Sequence, residues 1–354
     1  MTPGLTTVDV VVVGAGQGGL SAAHFLDRAG LSPGPGYVVL DADTAPGGAW
    51  RHRWPTLTMA RVNGVHDLPG FPLGDVDPCA RACDVVPAYF AAYEARLGQP
   101  VRRPAVVHEI RSAGPRLLID SSIGRFAARA VINASGTWTR PFWPYYPGQQ
   151  SFRGRQLHTA DYRGPHEFTG RHVVVVGGGV SAVQHLGELN DPAVAASTTW
   201  VTRHEPVFRE VADFGVDGRR DAVALVADRV AAGLPPGSVV SATGLVLTPE
   251  VAALRAQGVL KRHPVFTRVE PHGVRWADGS GQHADVILWA TGFRPALDHL
   301  RPLRLREPGG GILVEGTRVQ REPRLHLVGY GPSASTIGAS RAARDAVRQV
   351  LAVR

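Results

Sequence analysis

The N-terminal stretch contains the feature that most restricts the fold: a strand, a glycine-rich turn, a helix and a second strand in direct succession. Residues 10–13 are four consecutive valines, typical of a strand buried on both faces. The turn over residues 14–19 reads Gly-Ala-Gly-Gln-Gly-Gly, and good helix formers follow it. A second apolar run, residues 37–40, ends in Asp41. This order predicts a dinucleotide-binding βαβ unit.

The spacing within this unit has a chemical reason. Gly14 permits the tight turn, Gly16 leaves room for backbone N–H groups to approach a pyrophosphate, and Gly19 lets the helix pack closely on the strand. The N-terminus of the helix offers free N–H groups to the phosphates. Asp41 is predicted to accept hydrogen bonds from ribose hydroxyls. It lies further from Gly14 than the usual ~20 residues, because the loop over residues 31–36 is long.

A second copy of the pattern begins with another valine run at residues 173–176. The sequence Gly177-Gly178-Gly179-Val180-Ser181-Ala182 matches the G-x-G-x-x-A form of the fingerprint, and a helix is predicted from residue 183. The next predicted strand, residues 199–202, is followed by Arg203, where an acid would bind a free ribose 2′-hydroxyl. Because a guanidinium pairs with a 2′-phosphate, this copy predicts NADP in preference to NAD.

Both copies continue in a similar way. Short strands predicted at residues 106–110, 117–120 and 125–132 form a small antiparallel excursion, and the last leads to small residues ending at Gly136. Residues 285–292 repeat this pattern of a strand followed by small residues, here Ala290-Thr291-Gly292. A final strand over residues 324–331 ends in glycines, and a terminal helix over residues 340–353 is expected to return to the first lobe.

We therefore predict an α/β fold of two Rossmann-like dinucleotide-binding lobes, each with a parallel sheet and a small antiparallel excursion. The second lobe is inserted into the first. The expected boundaries are residues 1–148 for the first segment of the first lobe, 149–296 for the inserted lobe and 297–354 for the second segment of the first lobe.

The composition is that of a soluble globular protein, with 44% apolar and 19% charged residues in a chain of 354. The formal net charge of +8 is spread over scattered arginines, so no nucleic-acid partner is expected. No apolar stretch reaches the ~20 residues of a membrane span, so no membrane association is expected. The chain enters a core strand almost at once, which predicts a cytoplasmic location without a signal peptide.

The two cysteines, Cys79 and Cys83, are too few for a disulfide scaffold or for a tetrahedral zinc site, and no metal is expected. Their spacing differs from that of a redox-active CxxC pair, and the residues around them are typical of a loop. A catalytic dithiol, as in a flavin disulfide reductase, is therefore the disfavoured alternative.

Three further segments are suited to contact with a large planar ligand or to its support. Residues 46–55 combine Gly47 and Gly48 with Trp50 and Arg51, so that an indole can flank a ring and a guanidinium can reach a phosphate. Residues 61–73 are rich in turn formers and include Asn63, whose amide both donates and accepts hydrogen bonds. An amphipathic helix is predicted over residues 87–97, with its proline in the first turn.

One more pattern lies just before the second fingerprint. Phe152, Gly154, His158 and Tyr162 fit F-x-G-x-x-x-H-x-x-x-Y. With the two fingerprints and Gly47-Gly48-Ala49-Trp50, the chain resembles the flavin-containing monooxygenase family of class B flavoprotein monooxygenases, which includes Baeyer–Villiger relatives. Baeyer–Villiger enzymes usually carry Trp-Pro where this chain has Tyr-Arg at 162–163, so the resemblance is closer to the N-oxidising and plant auxin-type branch.

The resemblance implies FAD and NADPH as cofactors, and O2 and a small amine or sulfide as substrates. NADPH would reduce the flavin, O2 would add to give a C4a-(hydro)peroxyflavin, and the nucleophile would take one oxygen atom. Asn63 would be the catalytic residue that hydrogen-bonds this adduct. Phe152, Gly154 and His158 would form the family motif that affects NADP binding. The residues implied to bind the cofactors are Gly14, Gly16, Gln17, Gly18, Gly19, Asp41, Gly48, Trp50, Arg51, Val107, Gly136, Gly177, Gly179, Val180, Ser181, Ala182, Arg203, Ala290, Thr291, Gly292, Gly329 and Gly331.

Three alternatives stay open from the sequence. One is an NADPH-dependent flavin reductase or oxidase that forms no stable oxygen adduct, and another is Baeyer–Villiger oxidation of a ketone. The third is a non-catalytic, redox-sensing flavoprotein. The chain is shorter than most members of the family that it resembles, so its substrate pocket is expected to be either open or completed by a second subunit in a homodimer.

Overall fold

The computed structural model describes residues 4–62, 64–98, 100–210, 216–237, 244–334 and 336–352, without the side chains of 216–223 and 336–337. The chain divides into two compact units. Unit 1 comprises Met1–Thr139, Ala224–Gly237 and Pro295–Arg354, and unit 2 comprises Arg140–Val223 and Ser238–Arg294. Relative to the expected boundaries, residues 140–148 group with unit 2, and residues 224–237 and 295–296 group with unit 1.

The helices and strands of the described residues are numbered in chain order. The helices are α1 (Gln17–Arg28), α2 (Ala82–Arg96), α3 (Val180–Leu189), α4 (Val216–Ala231), α5 (Pro249–Ala256) and α6 (Thr336–Ala352). The strands of unit 1 are β1 (Leu5–Val13), β2 (Tyr37–Leu40), β3 (Val101–Arg102), β4 (Val107–Ala113), β5 (Arg116–Ser121), β6 (Gly124–Asn133), β17 (Val314–Glu315), β18 (Arg318–Val319) and β19 (Leu325–Leu327). The strands of unit 2 are β7 (Arg155–His158), β8 (His172–Val176), β9 (Ser197–Val201), β10 (Phe208–Glu210), β11 (Leu245–Leu247), β12 (Arg262–His263), β13 (Arg268–Glu270), β14 (Gly273–Arg275), β15 (Gly281–His283) and β16 (Val286–Trp289). Short 3₁₀ helices cover Gly48–His52, Met59–Arg61, Gln149–Ser151, Thr159–Asp161, Pro165–Phe168, Asp298–Leu303 and Gly331–Ser333.

Unit 1 is built on a nine-stranded sheet in which β17, β18, β19, β6, β1, β2 and β3 are successive neighbours. β1 pairs in parallel with β2 and β6, so Val10 lies opposite Tyr37 on one side and Ala130 on the other. Val10 and Val12 belong to the core on one face of the sheet, and Val11 and Val13 to the core on the other. Burial on both faces explains the unbroken valine run.

The antiparallel excursion predicted for this lobe is present. β4 pairs antiparallel with β5, and β5 pairs antiparallel with β6, which then enters the main sheet beside β1. Its strands cover the three predicted segments with ends shifted by a few residues. β4 and β5 are thus the two strands of the nine-stranded sheet that lie outside the row of successive neighbours from β17 to β3.

The terminal helix α6 packs against α1, as the sequence predicts. Gln17 Nε2 donates to Ser340 Oγ at 3.0 Å, and Ser340 Oγ also lies 3.0 Å from Ser21 Oγ. Ala343 and Ala346 are fully buried, and these small side chains bring α6 close to α1.

Helix α2 corrects the sequence-based prediction. It begins at Ala82, so Pro87 lies inside the helix and not in its first turn, and residues 84–86 are helical where a loop was expected. Ala82 and Val86 are fully buried. The free energy gained by this burial outweighs the loss of the one helical hydrogen bond that a proline cannot donate. The ring of Pro87 also lies against Gly47, where a Cβ would come within 2.8 Å of it.

Unit 2 contains a five-stranded parallel sheet in the order β12, β9, β8, β16, β7. β8 lies between β9 and β16, so Val174 is opposite Thr199 and Ile287. β13, β14 and β15 form a separate antiparallel sheet, and β10 pairs with β11. Helices α3 and α6 begin at Val180 and Thr336, a few residues before their predicted starts.

The α/β class, with a parallel sheet and an antiparallel excursion in each lobe, is confirmed. Within the described residues, no helix combines the length and the apolar character needed to cross a lipid bilayer.

Candidate functional site

The first glycine turn joins β1 to α1 and packs against the end of β6. Gly14 N–H donates to Leu40 O at 2.7 Å. The φ of Gly14 is +94°, a backbone angle that residues other than glycine rarely adopt. A Cβ at Gly14 would lie 2.5 Å from Ala134 O, and a Cβ at Gly19 would overlap Gly14 O. Packing of the polypeptide therefore accounts for glycine at both positions.

Gly16 needs a different explanation, because its backbone is extended (φ −82°, ψ −165°) and a Cβ there would have no described atom within 4 Å. Helix α1 begins at the next residue, with no side-chain cap and no acidic residue in its first turn. Its first N–H groups therefore lack an acceptor from the helix itself or from a cap. Open space in front of an uncapped helix N-terminus fits an anionic pyrophosphate.

Two further glycines bring neighbouring segments against this turn. A Cβ at Gly48 would lie 3.0 Å from Gly16 Cα, so the loop 47–48 passes directly beside the turn. A Cβ at Gly18 would lie 2.7 Å from Val328 Cγ1, just after β19. The carboxyl ends of β1 and β19 and the loop after β2 therefore meet at one place in unit 1, the end of a parallel sheet where ligands bind.

The other glycines predicted for this lobe divide into two kinds. Gly136 (φ +67°) and Gly329 (φ +81°) have no described atom within 4 Å of a Cβ, so they border open space after β6 and β19. Gly331 is explained by packing, because a Cβ there would lie 3.0 Å from Val230 Cγ2. Val107 begins β4 and packs, half-buried, on the core beneath the sheet.

Asp41 follows β2 and is held by three donors. Its Oδ2 accepts from Ala15 N–H at 2.5 Å, and its Oδ1 accepts from Asp43 N–H at 3.0 Å and from Arg103 Nε at 3.2 Å. A carboxylate has about four acceptor positions, so one remains on Oδ2 for a ribose hydroxyl. Asp41 is buried, and its carboxylate thus also fixes the glycine turn itself.

Arg103 was missed by the sequence reasoning. Its guanidinium forms a bidentate pair with Glu94 of α2, at 2.6 and 2.7 Å, in addition to its bond with Asp41. Burial lowers the pKa of Arg103, but the hydrogen bonds and charges of Glu94 and Asp41 outweigh burial and leave that pKa above its usual value. No local pattern marks this residue, because its partners lie 9 and 62 positions away.

The Gly48–His52 turn carries the predicted aromatic and cationic residues. Arg51 Nη1 donates to Ala45 O at 2.8 Å, so this side chain stabilises the loop that precedes the turn. The guanidinium of Arg53 lies 5.6 Å from the ring centre of Trp50 and 4.8 Å from that of Trp138. Trp50 is half-buried against the core that contains α1.

Arg53 is a second residue that the sequence reasoning missed. Its Nε is buried and forms no hydrogen bond within the described residues, and burial lowers the pKa of this guanidinium to about 10. A buried donor without a partner is unfavourable unless a ligand supplies an acceptor. The alternation of tryptophan and cation over residues 50–54 was the available signal.

Asn63, the predicted catalytic residue, lies outside the described residues. The segment that follows it is fixed by α1 and α2. Gln17 Nε2 donates to His66 O at 3.3 Å, and Tyr93 OH donates to Pro69 O at 2.9 Å. Tyr89 OH accepts from Leu68 N–H at 2.6 Å and donates to Phe71 O. Gln17, predicted at the cofactor, thus supports this loop.

The second glycine turn repeats the geometry of the first. Gly177 N–H donates to Val201 O at 2.9 Å, and a Cβ at Gly177 would overlap Ala290 O. Gly179 is extended (φ −98°, ψ 176°) with no described atom within 4 Å of a Cβ. Val180 and Ser181 begin the uncapped helix α3, and Ala182 is fully buried. In each unit, at least one glycine of the turn is required by packing and another borders open space at a helix N-terminus.

Arg203 lies just beyond β9 and is exposed. The neighbouring cation Arg262, on β12, is engaged: its Nε donates to Thr202 Oγ1 at 2.9 Å and its Nη1 pairs with Glu205 at 2.9 Å. Arg203 is therefore the available guanidinium at the carboxyl end of this strand. The side chains of residues 219 and 220, a nearby arginine pair in sequence, lie outside the described residues.

The F-x-G-x-x-x-H motif is internal to unit 2. Phe152 packs on the core of the five-stranded sheet, and a Cβ at Gly154 would overlap Asp285 O. His158 is fully buried; its Nδ1 accepts from Ala160 N–H at 3.1 Å and its Nε2 donates to Gly292 O at 3.0 Å. Burial lowers the pKa of His158, which agrees with a neutral ring whose two nitrogens have opposite roles.

His158 thus fixes the loop that follows β16, residues 290–292, through its hydrogen bond to Gly292 O. The same loop is held by Thr291 Oγ1, which donates to Phe142 O at 2.5 Å. Gly292 has φ +76° and no described atom within 4 Å of a Cβ. Ala290, whose carbonyl contacts Gly177, connects this loop to the second glycine turn.

The cysteines lie at the start of α2 and just before it. Cys79 is exposed and Cys83 is half-buried. Burial, with Asp84 nearby, raises the pKa of the Cys83 thiol, whereas a reactive cysteine needs a lowered one.

Comparisons with known proteins agree with this architecture. Residues 11–219 match the family described as pyridine nucleotide-disulphide oxidoreductase. The chain is similar to the solved flavin-containing monooxygenase from Stenotrophomonas maltophilia, with 40% identity, 99% of each chain covered and a TM-score of 0.82. It is 25% identical to indole-3-pyruvate monooxygenase YUCCA4 of Oryza sativa subsp. japonica, over 96% of this chain and 87% of that protein. It is 28% identical to a Baeyer-Villiger monooxygenase of Streptomyces coelicolor, over 50% of this chain and 34% of that protein.

Proposed function

The chain belongs to the pyridine nucleotide-disulphide oxidoreductase family and to the flavin-containing monooxygenases, and from this premise we propose that it oxygenates a small amine or sulfide. Membership confirms the predicted class B flavoprotein monooxygenase, an oxidoreductase whose cofactors are FAD and NADPH. The substrate class, the preference for NADPH over NADH and the residues that serve each cofactor are the proposal.

The repeated glycine geometry carries this proposal. Gly16 and Gly179 each border open space at an uncapped helix N-terminus, and packing against the described residues requires neither glycine. Two separate pyrophosphate sites, one in each unit, account for both. FAD is assigned to the turn at Gly16, where Asp41 keeps an acceptor position for a ribose hydroxyl. NADPH is assigned to the turn at Gly179.

Three features of unit 1 fit a flavin nucleotide. Trp50 is half-buried against the core that contains α1, Gly136 and Gly329 leave room for close approach, and the buried Nε of Arg53 has no acceptor among the described residues. A carbonyl or phosphate oxygen of FAD would satisfy that donor. When bound, the flavin supplies the redox chemistry by taking a hydride from NADPH and activating O2. The chain binds and orients the two nucleotides, and it excludes water from the reacting atoms.

The preference for NADPH is assigned to Arg203. Its guanidinium is exposed at the carboxyl end of β9, the position where the ribose of a dinucleotide lies in this type of lobe. The charge of Arg262 is already paired with Glu205. Arg203 would therefore pair with the 2′-phosphate, which NADH lacks.

The proposed reaction is tested by following NADPH oxidation, H2O2 and oxygenated product together for a panel of amines, sulfides and ketones. Oxygenation predicts that an amine or a sulfide yields product in proportion to the NADPH consumed. Release of H2O2 in proportion to NADPH with every compound would instead make the protein an oxidase. Product from ketones alone would identify Baeyer–Villiger oxidation and contradict the substrate class proposed here.

A further inference from the structure

A cluster of metal-binding side chains lies in unit 2, at the end of the five-stranded sheet opposite to the glycine turn. His172 begins β8, His283 ends β15, and Asp285 immediately precedes β16. One ligand atom from each of the three lies within 4.8 Å of the other two. The turn at Gly177 follows the far end of β8, so about 16 Å of strand separates the cluster from the second fingerprint.

Hydrogen bonds direct two of these side chains toward a common point. His172 Nδ1 lies 2.7 Å from Ser197 Oγ, which leaves Nε2 of the same ring available. Asp285 Oδ2 accepts from His172 N–H at 2.8 Å, which leaves Oδ1 available. Bonds of this kind, from the non-ligating atom of a ligand to a neighbour, orient histidines and carboxylates in metal sites.

His283 completes the set from the antiparallel sheet. Its Nε2 lies 3.4 Å from Asp285 Oδ1, and its ring stands edge-on to that of His172 with 5.2 Å between ring centres. Two imidazoles and one carboxylate are the ligands that zinc takes in sites with three protein ligands and one open position. His283 is about half exposed, so an ion can reach the site from solvent.

From this geometry we propose that His172, His283 and Asp285 form a binding site for a divalent first-row cation of the zinc type, completed by water. Arg171, whose charge also acts on Asp285, is the cation that opposes such binding. The site would link the β15–β16 connection to the starts of β8 and β9. It is independent of the cofactor assignments made above, since none of its residues borders either glycine turn.

The test is calorimetric titration of ZnCl2 into the chelator-treated holoenzyme. Wild type is expected to bind one ion per chain. His283→Asn removes an exposed ligand and should weaken binding at least tenfold. Ser197→Ala keeps all three ligands but frees the ring of His172, and it should weaken binding about tenfold. His108→Asn, at an exposed histidine on β4, is the matched control and should bind zinc as wild type does.

A thermal readout separates binding at this site from adventitious binding. Zinc should raise the melting temperature of wild type and of His108→Asn, because an ion that binds the folded state stabilises it, and it should leave that of His283→Asn unchanged. Equal zinc affinity of wild type and His283→Asn would overturn the proposal. Absence of a saturable site in wild type below about 1 mM zinc, the range of weak binding, would overturn it as well.

Discussion

Arg103 Nε donates to Asp41 Oδ1 at 3.2 Å, while the rest of the same guanidinium is paired with Glu94 at 2.6 and 2.7 Å. All three side chains are nearly inaccessible, with 11% of Arg103 and 9% of each acid exposed. Asp41 in turn accepts from Ala15 N–H inside the first glycine turn. One buried cation therefore connects helix α2 to the turn that we assign to FAD.

Removing the charge of Glu94 should destabilise unit 1. In Glu94→Gln the Arg103 guanidinium keeps its charge in a buried site and loses its bidentate acceptor. Breaking a buried pair in this way costs about 3–5 kcal/mol. The expected result is a loss of about 3 kcal/mol in the free energy of unfolding, measured by urea titration at neutral pH.

Asp84→Asn provides the matched control. The Arg81–Asp84 pair belongs to the start of the same helix but is 58% and 55% exposed. An exposed pair contributes about 0–1 kcal/mol, so this variant should unfold close to wild type. Similar losses from both substitutions would contradict the role given to the buried pair.

Alanine at Gly16 should separate FAD binding from folding. Gly16 is extended and has open space at its Cβ position, so Gly16→Ala should change the free energy of unfolding of the apoprotein by only about 0.5 kcal/mol. The added methyl would occupy the space that we assign to the pyrophosphate, and FAD affinity should fall at least tenfold. Fluorescence titration of the apoprotein with FAD measures this.

Gly14→Ala serves as the contrasting variant. It places a side chain at φ +94° and within 2.5 Å of Ala134 O, so it should impair folding whether or not FAD is present. If Gly16→Ala bound FAD as tightly as wild type, the first pyrophosphate site would be misassigned.

Removing the guanidinium of Arg203 should act on one coenzyme only. Loss of a charged hydrogen bond to the 2′-phosphate costs about 1.5–3 kcal/mol, which corresponds to a rise of roughly ten- to hundredfold in the KM for NADPH of Arg203→Ala. The KM for NADH should stay within about twofold, since NADH has no phosphate there. Steady-state oxidation of both coenzymes measures the effect, with Arg163→Ala, at an exposed arginine elsewhere in unit 2, as control. Equal changes for both coenzymes would refute the assignment.

Buried and half-buried histidines should make the protein sensitive to mild acid. Burial lowers the pKa of His185 to about 3 and those of His299 and His326 to about 4. The unfolded chain binds these protons near pH 6.5, so the stabilisation from the neutral rings is complete above that pH and is lost as pH falls toward the folded values.

The three rings together predict a loss of about 4 kcal/mol in the free energy of unfolding between about pH 7.5 and 5.5. Urea titrations at the two pH values measure it. His326→Gln should reduce this loss by about 1.4 kcal/mol, and His108→Gln, at an exposed ring, should leave it unchanged. Equal stability of wild type at both pH values would contradict the prediction.

The sequence predicted the elements that depend on local pattern. The valine runs at 10–13 and 173–176 became β1 and β8, and the glycines after them became turns, because periodicity and backbone freedom are properties of neighbouring residues. The excursion through β4 and β5 was predicted for the same reason. The start of α2 was not, because burial of Ala82 and Val86 outweighed the local effect of Pro87.

The contacts around the candidate sites could not be read from the sequence. Arg103 and Asp41 are 62 residues apart, and His172 and Asp285 are 113 residues apart. Only the strand order of each sheet brings such pairs together. Gln17 has a second contact that its position in the fingerprint does not indicate, since its Nε2 is bonded to the loop at His66.

The proposed function requires that electrons pass from a nucleotide at the Gly179 turn to a flavin at the Gly16 turn. The most direct measurement is anaerobic mixing of NADPH with the purified FAD-containing protein, followed by the flavin absorbance. Rapid bleaching is expected in wild type, and bleaching at least tenfold slower is expected in Gly179→Ala at limiting NADPH, with FAD still bound. A wild-type protein that stays colourless when offered FAD, or whose bound flavin stays oxidised in the presence of NADPH, would contradict it.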